Sequence, residues 1–236
     1  MNSSMLRNSL KYILIPGKPA FGSPAAEIHN LAFEFWMQFW TAVFKKNGVN
    51  EKPNPDDFLR QDRISVLMHG KEVIALHAYS YFDRGLGAAR SHSYFAQSFT
   101  QKSIATLESL GAKRLMSMEY FSVSPQWRSP TLGVSLAAII TCLGFKVFEQ
   151  SGADALLGIS RVDVGVAKMS YDFGAVALDK NVPLHGTPCD LIAILRGQQR
   201  PYRDEAENEL AAFFWATRTD YTQSLGQTDN SRRVYG

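Results

Sequence analysis

Apolar residues at Ile28, Leu31, Phe35, Phe39 and Val43 recur three or four positions apart between Ala25 and Lys46, which is the period of a helix that buries one face. Asn47-Gly48 ends it. Upstream, Leu10 to Ile15 (LKYILI) has strand character and stops at Pro16-Gly17. Downstream, Ile64 to Met68 and Glu72 to Phe82 read as two strands joined by His69-Gly70-Lys71, as in an antiparallel hairpin. Residues 84 to 91 read as loop, Ser93 to Leu110 as a helix closed by Gly111, and Arg114 to Val123 as a strand. A second apolar face, Leu132, Leu136, Ile139, Ile140, Leu143 and Val147, predicts a helix that starts near Pro130 with Ser129 as its cap and stops at Ser151-Gly152. Ala155 to Ile159 follows as a short buried strand, Val162 to Tyr171 as a small helix, and Ala175 to Leu178 and Cys189 to Leu195 as strands. Beyond Gly197 one amphipathic helix is expected, roughly Glu205 to Leu225, and the last ten residues read as disordered.

The order β-α-β-β-α-β-α-β-α-β-β with an appended helix predicts a mixed α/β fold without internal repeats. It is expected to form one domain over residues 1–200, with residues 201–236 as a C-terminal helical extension and flexible tail.

Composition narrows the function classes. An apolar content of 45% in 236 residues suffices for a sizeable core. The net charge of +3 is carried by scattered Lys and Arg, which argues against nucleic acid and fits small anions or acidic carrier surfaces better. Cys142 and Cys189 lie in apolar runs and form no disulfide framework, as expected of a protein of the reducing cytoplasm. The run Tyr12 to Ile15 is too short for a signal segment, and no run approaches the length of a membrane span. His29, His69, His77, His92 and His185 have no metal-binding spacing, and His77 in an apolar strand reads as a core residue, so no metal is expected. Gly133-Val134-Ser135 is no nucleophile elbow, because Ala137 stands where the second Gly is needed.

The mouth of the helix after Val123 suggests anion binding. Unpaired N–H groups and the helix dipole attract a phosphate there, the small residues Gly133 and Ser135 let it approach, and Arg128 adds a charged fork. A capped core helix lying close to the sheet explains the same residues.

In the strand LMSMEYFSV, alternation sets Leu115, Ser117, Glu119, Phe121 and Val123 on one face and Met116, Met118, Tyr120 and Ser122 on the other. Glu119 then lies among large apolar residues, where burial raises its pKa and suits it to act as a general base toward an amine; an ion-paired or edge-exposed Glu is the alternative. The aromatic residues Phe33, Phe35, Trp36, Phe39, Trp40 and Phe44 cover most of a helix circumference, as core packing or as the wall of an acyl groove.

Val123, Pro125 and Arg128, followed by Gly133-Val134-Ser135, resemble motif A of the GNAT acyltransferase superfamily. The resemblance continues in the strand Ala155 to Ile159 and in the segment Ala167 to Ala175, and the element order from Leu10 to Leu195 is similar too. Two positions depart from the family pattern: Pro130 stands where Gln or Arg is usual, and Tyr171 precedes Gly174 by three residues rather than four. The resemblance implies a central mixed sheet flanked by helices, here with an added C-terminal helix. It also implies an acyl-CoA or acyl-phosphopantetheine donor lying along Phe121, Val123, Arg128, Leu132, Gly133, Val134 and Ser135, with Glu119 as base and Tyr171 as acid for the departing thiolate. The large aromatic and hydroxyl-rich segment Arg84 to Gly111 resembles the N-acyl amino acid synthase and acyl-homoserine-lactone synthase branches. The implied activity is transfer of a long-chain acyl group from a CoA or acyl-carrier-protein thioester to the amine of an amino-acid-like acceptor. An acetyl-CoA-dependent N-acetyltransferase and a non-catalytic acyl-thioester-binding module are the alternatives.

Overall fold

A computed structural model describes residues 3–128 and 132–222. The elements are α1 (Ser3–Ser9), β1 (Leu10–Pro16), α2 (Pro24–Lys46), α3 (Pro55–Leu59), β2 (Arg63–His69), β3 (Glu72–Asp83), α4 (Gly87–Arg90), α5 (Ser93–Ser98), α6 (Gln101–Ser109), β4 (Arg114–Val123), α7 (Leu136–Ser151), β5 (Ala155–Arg161), α8 (Val166–Asp172), β6 (Val176–Leu184), β7 (Thr187–Leu195), α9 (Glu205–Ala216) and β8 (Thr219–Asp220). The strands form one mixed sheet in the order β6-β7-β5-β4-β3-β2-β1-β8. The neighbours β4–β5 and β1–β8 run parallel, and all other neighbours run antiparallel.

Local chemistry explains where the elements depart from the sequence pattern. The expected start of α7 near Pro130 is corrected to Leu136: Gly133 takes a left-handed backbone (φ 69°), and Ser135 is the cap, its Oγ accepting from the Ala138 N–H at 3.2 Å. Ser129 and Pro130 lie outside the described residues. The expected helix Ser93 to Leu110 is two helices, because Thr100 has an extended backbone and caps α6 by accepting from the Ser103 N–H. The last helix ends at Ala216 rather than Leu225, and the chain then pairs with β1 as β8; the expected flexible tail lies beyond the described residues. Helices α1 and α3 carry too few residues for a periodic signal. Among the described residues no helix is long and apolar enough to cross a membrane.

Helices cover both faces of the sheet. Leu136, Ile139, Ile140, Leu143 and Val147 of α7 pack with Leu210, Ala211 and Phe214 of α9 over one face. Ala25, Ala32 and Trp36 of α2 and Phe58 of α3 cover β1–β3 on the other, and Tyr94, Phe95 and Leu107 cover Leu157, Leu191 and Ala193. Each fully buried large apolar side chain contributes about 1.5–3 kcal/mol.

Two irregularities open the middle of the sheet. Ala78 pairs with Glu119 and Leu76 with Ser122, so Tyr120 and Phe121 together oppose the single residue His77. This is a β-bulge, with Tyr120 in the left-handed region at φ 57°. The bulge corrects the alternation expected for β4: Phe121 and Val123 join Met116 and Met118 on the α7 face, while Ser122 bonds Trp40 of α2. The second irregularity lies between β4 and β5. Their pairing ends at Ser117–Leu157, although β4 continues to Val123 and β5 to Arg161. The strands therefore diverge and leave a gap.

Close packing of α7 against this region depends on Gly144. A Cβ there would lie 2.5 Å from Met118 Sδ, with Tyr79 Oη and His77 Nδ1 at 3.4 and 3.5 Å. Gly144→Val is expected to overpack this contact and lower stability by about 1–3 kcal/mol, measured as a reduced urea midpoint with an unchanged slope.

Candidate active site

Two cavities meet where β4 and β5 diverge. The larger, about 330 Å³, lies between the sheet and helices α7 and α8, and is lined by His77, Phe121, Thr141, Phe145, Leu156, Met169, Ser170, Phe173 and Ile192 among others. The smaller, about 100 Å³, lies beneath α2 and is lined by Trp36, Phe44, Asp57, Arg60, Tyr94, Glu119, His185 and Cys189 among others. Trp40, Val43, Met118, Tyr120, Ile159 and Arg161 line both.

The junction is held open by a short hydrogen-bond relay. Trp40 Nε1–H donates to Ser122 Oγ at 3.0 Å, and the Ser122 hydroxyl donates to the Tyr120 carbonyl at 2.7 Å. The Tyr120 ring packs edge-on between Trp36 (5.3 Å, 87°) and Trp40 (5.6 Å, 82°). The bulge is thus fixed by both its backbone and its side chain.

An ion pair dominates the smaller chamber. Arg60 donates from Nη1 to Glu119 Oε1 at 3.3 Å and from Nη2 to Glu119 Oε2 at 2.5 Å, and its Nε reaches Asp57 Oδ1 at 3.3 Å. The Ser117 hydroxyl adds a bond to Glu119 Oε1 at 2.6 Å. Only 8% of the Glu119 side chain and 16% of the Arg60 side chain are exposed. Burial pushes the Glu119 carboxyl above its ordinary value, and Arg60 and Ser117 pull part of the way back. In the larger cavity burial brings His77 down to about 3, so its ring is neutral.

Three cationic residues, Lys46, Arg128 and Arg161, belong to the lining of the larger cavity. Arg128 Nε–H donates to the Val123 carbonyl at 2.8 Å, and its guanidinium lies 5.3 Å from the centre of the Phe39 ring. Burial, and then the charge of Arg161, hold the Arg128 pKa below its ordinary value.

No family model and no curated protein matches the sequence. Solved structures do match. The N-acyl amino acid synthase FeeM from uncultured soil microbes superposes with a TM-score of 0.52 at 11% identity, over 79% of this chain and 90% of that one. A mosquito arylalkylamine N-acetyltransferase like 5b gives 0.54 at 13%, over 78% and 100%. The Drosophila melanogaster polyamine N-acetyltransferase gives 0.53 at 10%, over 78% and 100%. The chain has the GNAT fold.

Within this GNAT fold the residues singled out in the sequence separate into groups. Phe121, Val123 and Arg128 line the larger cavity and Glu119 the smaller. Leu132, Gly133, Val134 and Ser135 line neither, and Leu132 and Val134 pack against the core. The expected phosphate contact at the mouth of α7 is corrected at Ser135, whose N–H donates to Glu207 Oε1 of α9 at 2.7 Å. A carboxylate of the chain itself takes that amide. Tyr171 lies outside the lining and turns to the sheet edge: its hydroxyl donates to Asp190 Oδ2, and Lys180 sits 5.4 Å from its ring centre. Burial and Asp190 raise its pKa.

Sequence reasoning missed Arg60, Asp57, Arg161 and Glu207. The stretch Asn54-Pro55-Asp56-Asp57 carries a readable signal, an N-cap followed by Pro and two acids, which announces the short helix that Arg60 ends.

Arg60→Met leaves the buried Glu119 carboxylate without its partner and is expected to cost about 3–5 kcal/mol at neutral pH. In this variant Glu119 has a folded-state pKa well above its unfolded value. The folded state then takes up a proton that the unfolded chain does not hold, so stability falls as pH rises through the folded value and recovers as pH is lowered. Urea unfolding of the parent and the variant at pH 5 and pH 8 checks both the size and the sign.

Proposed function

We propose that this protein transfers a long-chain acyl group from a phosphopantetheine thioester, carried on coenzyme A or an acyl carrier protein, to the nitrogen of a small amine. The observation that carries the reading is the meeting of two cavities at the β4–β5 divergence, one apolar with cations in its lining and the other holding a buried carboxylate. The donor arm enters past Lys46, Arg128 and Arg161, and the thioester carbonyl comes to the junction by the bulge. There Tyr120 and Phe121 stand outside the regular β3–β4 pairing, and in this reading N–H groups of the bulge polarise the carbonyl. The amine occupies the smaller chamber beside Glu119.

Attack forms the C–N bond and breaks the C–S bond. The surplus proton on nitrogen passes to Glu119, whose raised pKa suits it to receive one, and then to the departing sulfur. This route needs no separate acid, in keeping with the bond Tyr171 makes to Asp190. The neighbours of similar fold include an N-acyl amino acid synthase and N-acetyltransferases by name, which supports amine acylation as the reaction class. The apolar lining of the larger cavity, with Phe121, Phe145, Phe173, Ile192 and Ile194, favours a long acyl chain over acetyl.

Two measurements test this reading. In a series of acyl thioesters from two to sixteen carbons, donor affinity is expected to rise about fourfold per methylene until the cavity is full, from roughly 0.8 kcal/mol for each group removed from water. Flat affinity, or a preference for acetyl, rejects the long-chain donor in favour of the acetyltransferase reading. Glu119→Gln is expected to lower the transfer rate by roughly 10²–10⁴ with donor affinity little changed. A loss smaller than about threefold at saturating substrates removes Glu119 from the proton path.

A further inference from the structure

The smaller chamber carries a charge pattern that selects among amines. Asp57 and Glu119 contribute two carboxylates, with Arg60 between them bonded to both. The second arginine of the lining, Arg161, has its Nε and Nη2 on Asp163 and also reaches Asn47 Oδ1 at 3.3 Å. Burial holds the pKa of His185, the histidine of this lining, below its ordinary value against the opposing pull of Asp57. Among the described residues of the chamber, both guanidinium groups are thus engaged by carboxylates of the chain. Asp57, Glu119 and Arg60 together leave one net negative charge, while Arg161 and Asp163 cancel.

The walls add aromatic surface and two buried polar groups without a partner, the Trp36 indole N–H and the Tyr94 hydroxyl. Trp36, Trp40, Tyr120 and Phe44 present aromatic surface to the chamber, and rings of this kind attract cations. Tyr94 is 2% exposed, and its hydroxyl has no hydrogen-bond partner although Glu119 and Arg60 lie close enough to shift its pKa. An unpaired buried hydroxyl in a cavity wall is costly unless a ligand meets it. Asp57, Glu119 and Tyr94 thus set three acceptor groups around one space, and an ammonium has three N–H donors to offer.

We infer that the acceptor is a small primary amine with an apolar or aromatic body and no carboxylate, and that Asp57 sets this preference. The inference rests on the transfer reading and deepens it. An amine of this class enters as the ammonium and is held by Asp57 and the aromatic walls; one proton leaves through Glu119 to solvent before attack, and the second passes through Glu119 to the departing sulfur once the C–N bond has formed. A free amino acid brings a carboxylate into a chamber that already holds a net negative charge and whose arginines are both paired. The amino-acid-like acceptor expected from the sequence is therefore disfavoured by this geometry.

The experiment uses matched pairs that differ only in the carboxylate: 2-phenylethylamine against phenylalanine, and isobutylamine against valine. Binding is read by calorimetry without any donor, and kcat/KM with a long-chain acyl-CoA is read separately. Each amine is expected to exceed its amino acid by roughly 30-fold or more in both readouts. Asp57→Asn is expected to bring that ratio within about threefold while the donor dissociation constant stays the same. Equal or tighter binding of the amino acids overturns the inference on the parent protein alone, and an unchanged ratio in a folded Asp57→Asn protein removes Asp57 from it. If the amines bind selectively but no thioester is consumed with any amine, the chamber assignment stands and the transfer reading falls. If amino acids are acylated in preference, transfer stands and the chamber assignment falls.

Discussion

The divergence of β4 from β5 after Ser117–Leu157 is the constraint on which the rest of the site depends. Two parallel strands that stay paired leave no room between them, whereas two that part expose backbone groups that must find other partners. Here the bulge at Tyr120 and Phe121 turns β4 away, and the Trp40–Ser122–Tyr120 relay supplies replacement bonds. Gly144 lets α7 come close enough to support Met118 beneath the opening. Each of these features would be a defect in an unbroken sheet, and together they make a rigid aperture with a cavity on either side.

The ion pair between Arg60 and Glu119 is the second element of the arrangement. It joins the short helix α3 to the central strand, so that a helix of five residues, too short to persist alone, is anchored by a charged and nearly buried link. Phe58 on the same helix packs against Trp36, Phe33 and His29 and supplies the apolar half of the anchor. The chamber wall and the candidate base are therefore positioned by one contact.

Much of the frame was legible in the sequence, because periodicity reports burial directly. The existence of α2, the hairpin at Gly70 and the apolar face of α7 each follow from spacing alone, but the face α2 buries is Ala25, His29, Ala32 and Trp36, while Ile28, Phe35, Phe39 and Val43 of the expected stripe are half-buried and Leu31 is exposed. The details of the site were harder to read. Strict alternation cannot register a bulge, so the face assignment of β4 failed from Tyr120 onward, where one extra residue reverses every side chain. Gly133 and Ser135 carry the small-residue signature of an anion-binding turn, but the group that bonds the Ser135 amide is Glu207, which lies 72 residues further on. Arg60 was missed for the same reason: its partner is 59 residues away, and no local pattern marks a charge that will be buried by a distant strand.

The C-terminal segment has a kinetic meaning as well as a static one. Residues Thr219 and Asp220 pair with Ile13 and Leu14, and α9 packs on α1 and α7 while its Glu207 closes the first turn of α7. The β8–β1 and α9–α1 contacts join segments far apart in sequence, so they are of high contact order and close late in folding. A chain still being synthesised has already made β1 through β7 while the edge of β1 stands open and the apolar side of α7 is uncovered. Both surfaces invite association with other chains until the last helix arrives. The arrival of α9 and β8 therefore removes both surfaces together, one by extending the sheet and the other by covering α7.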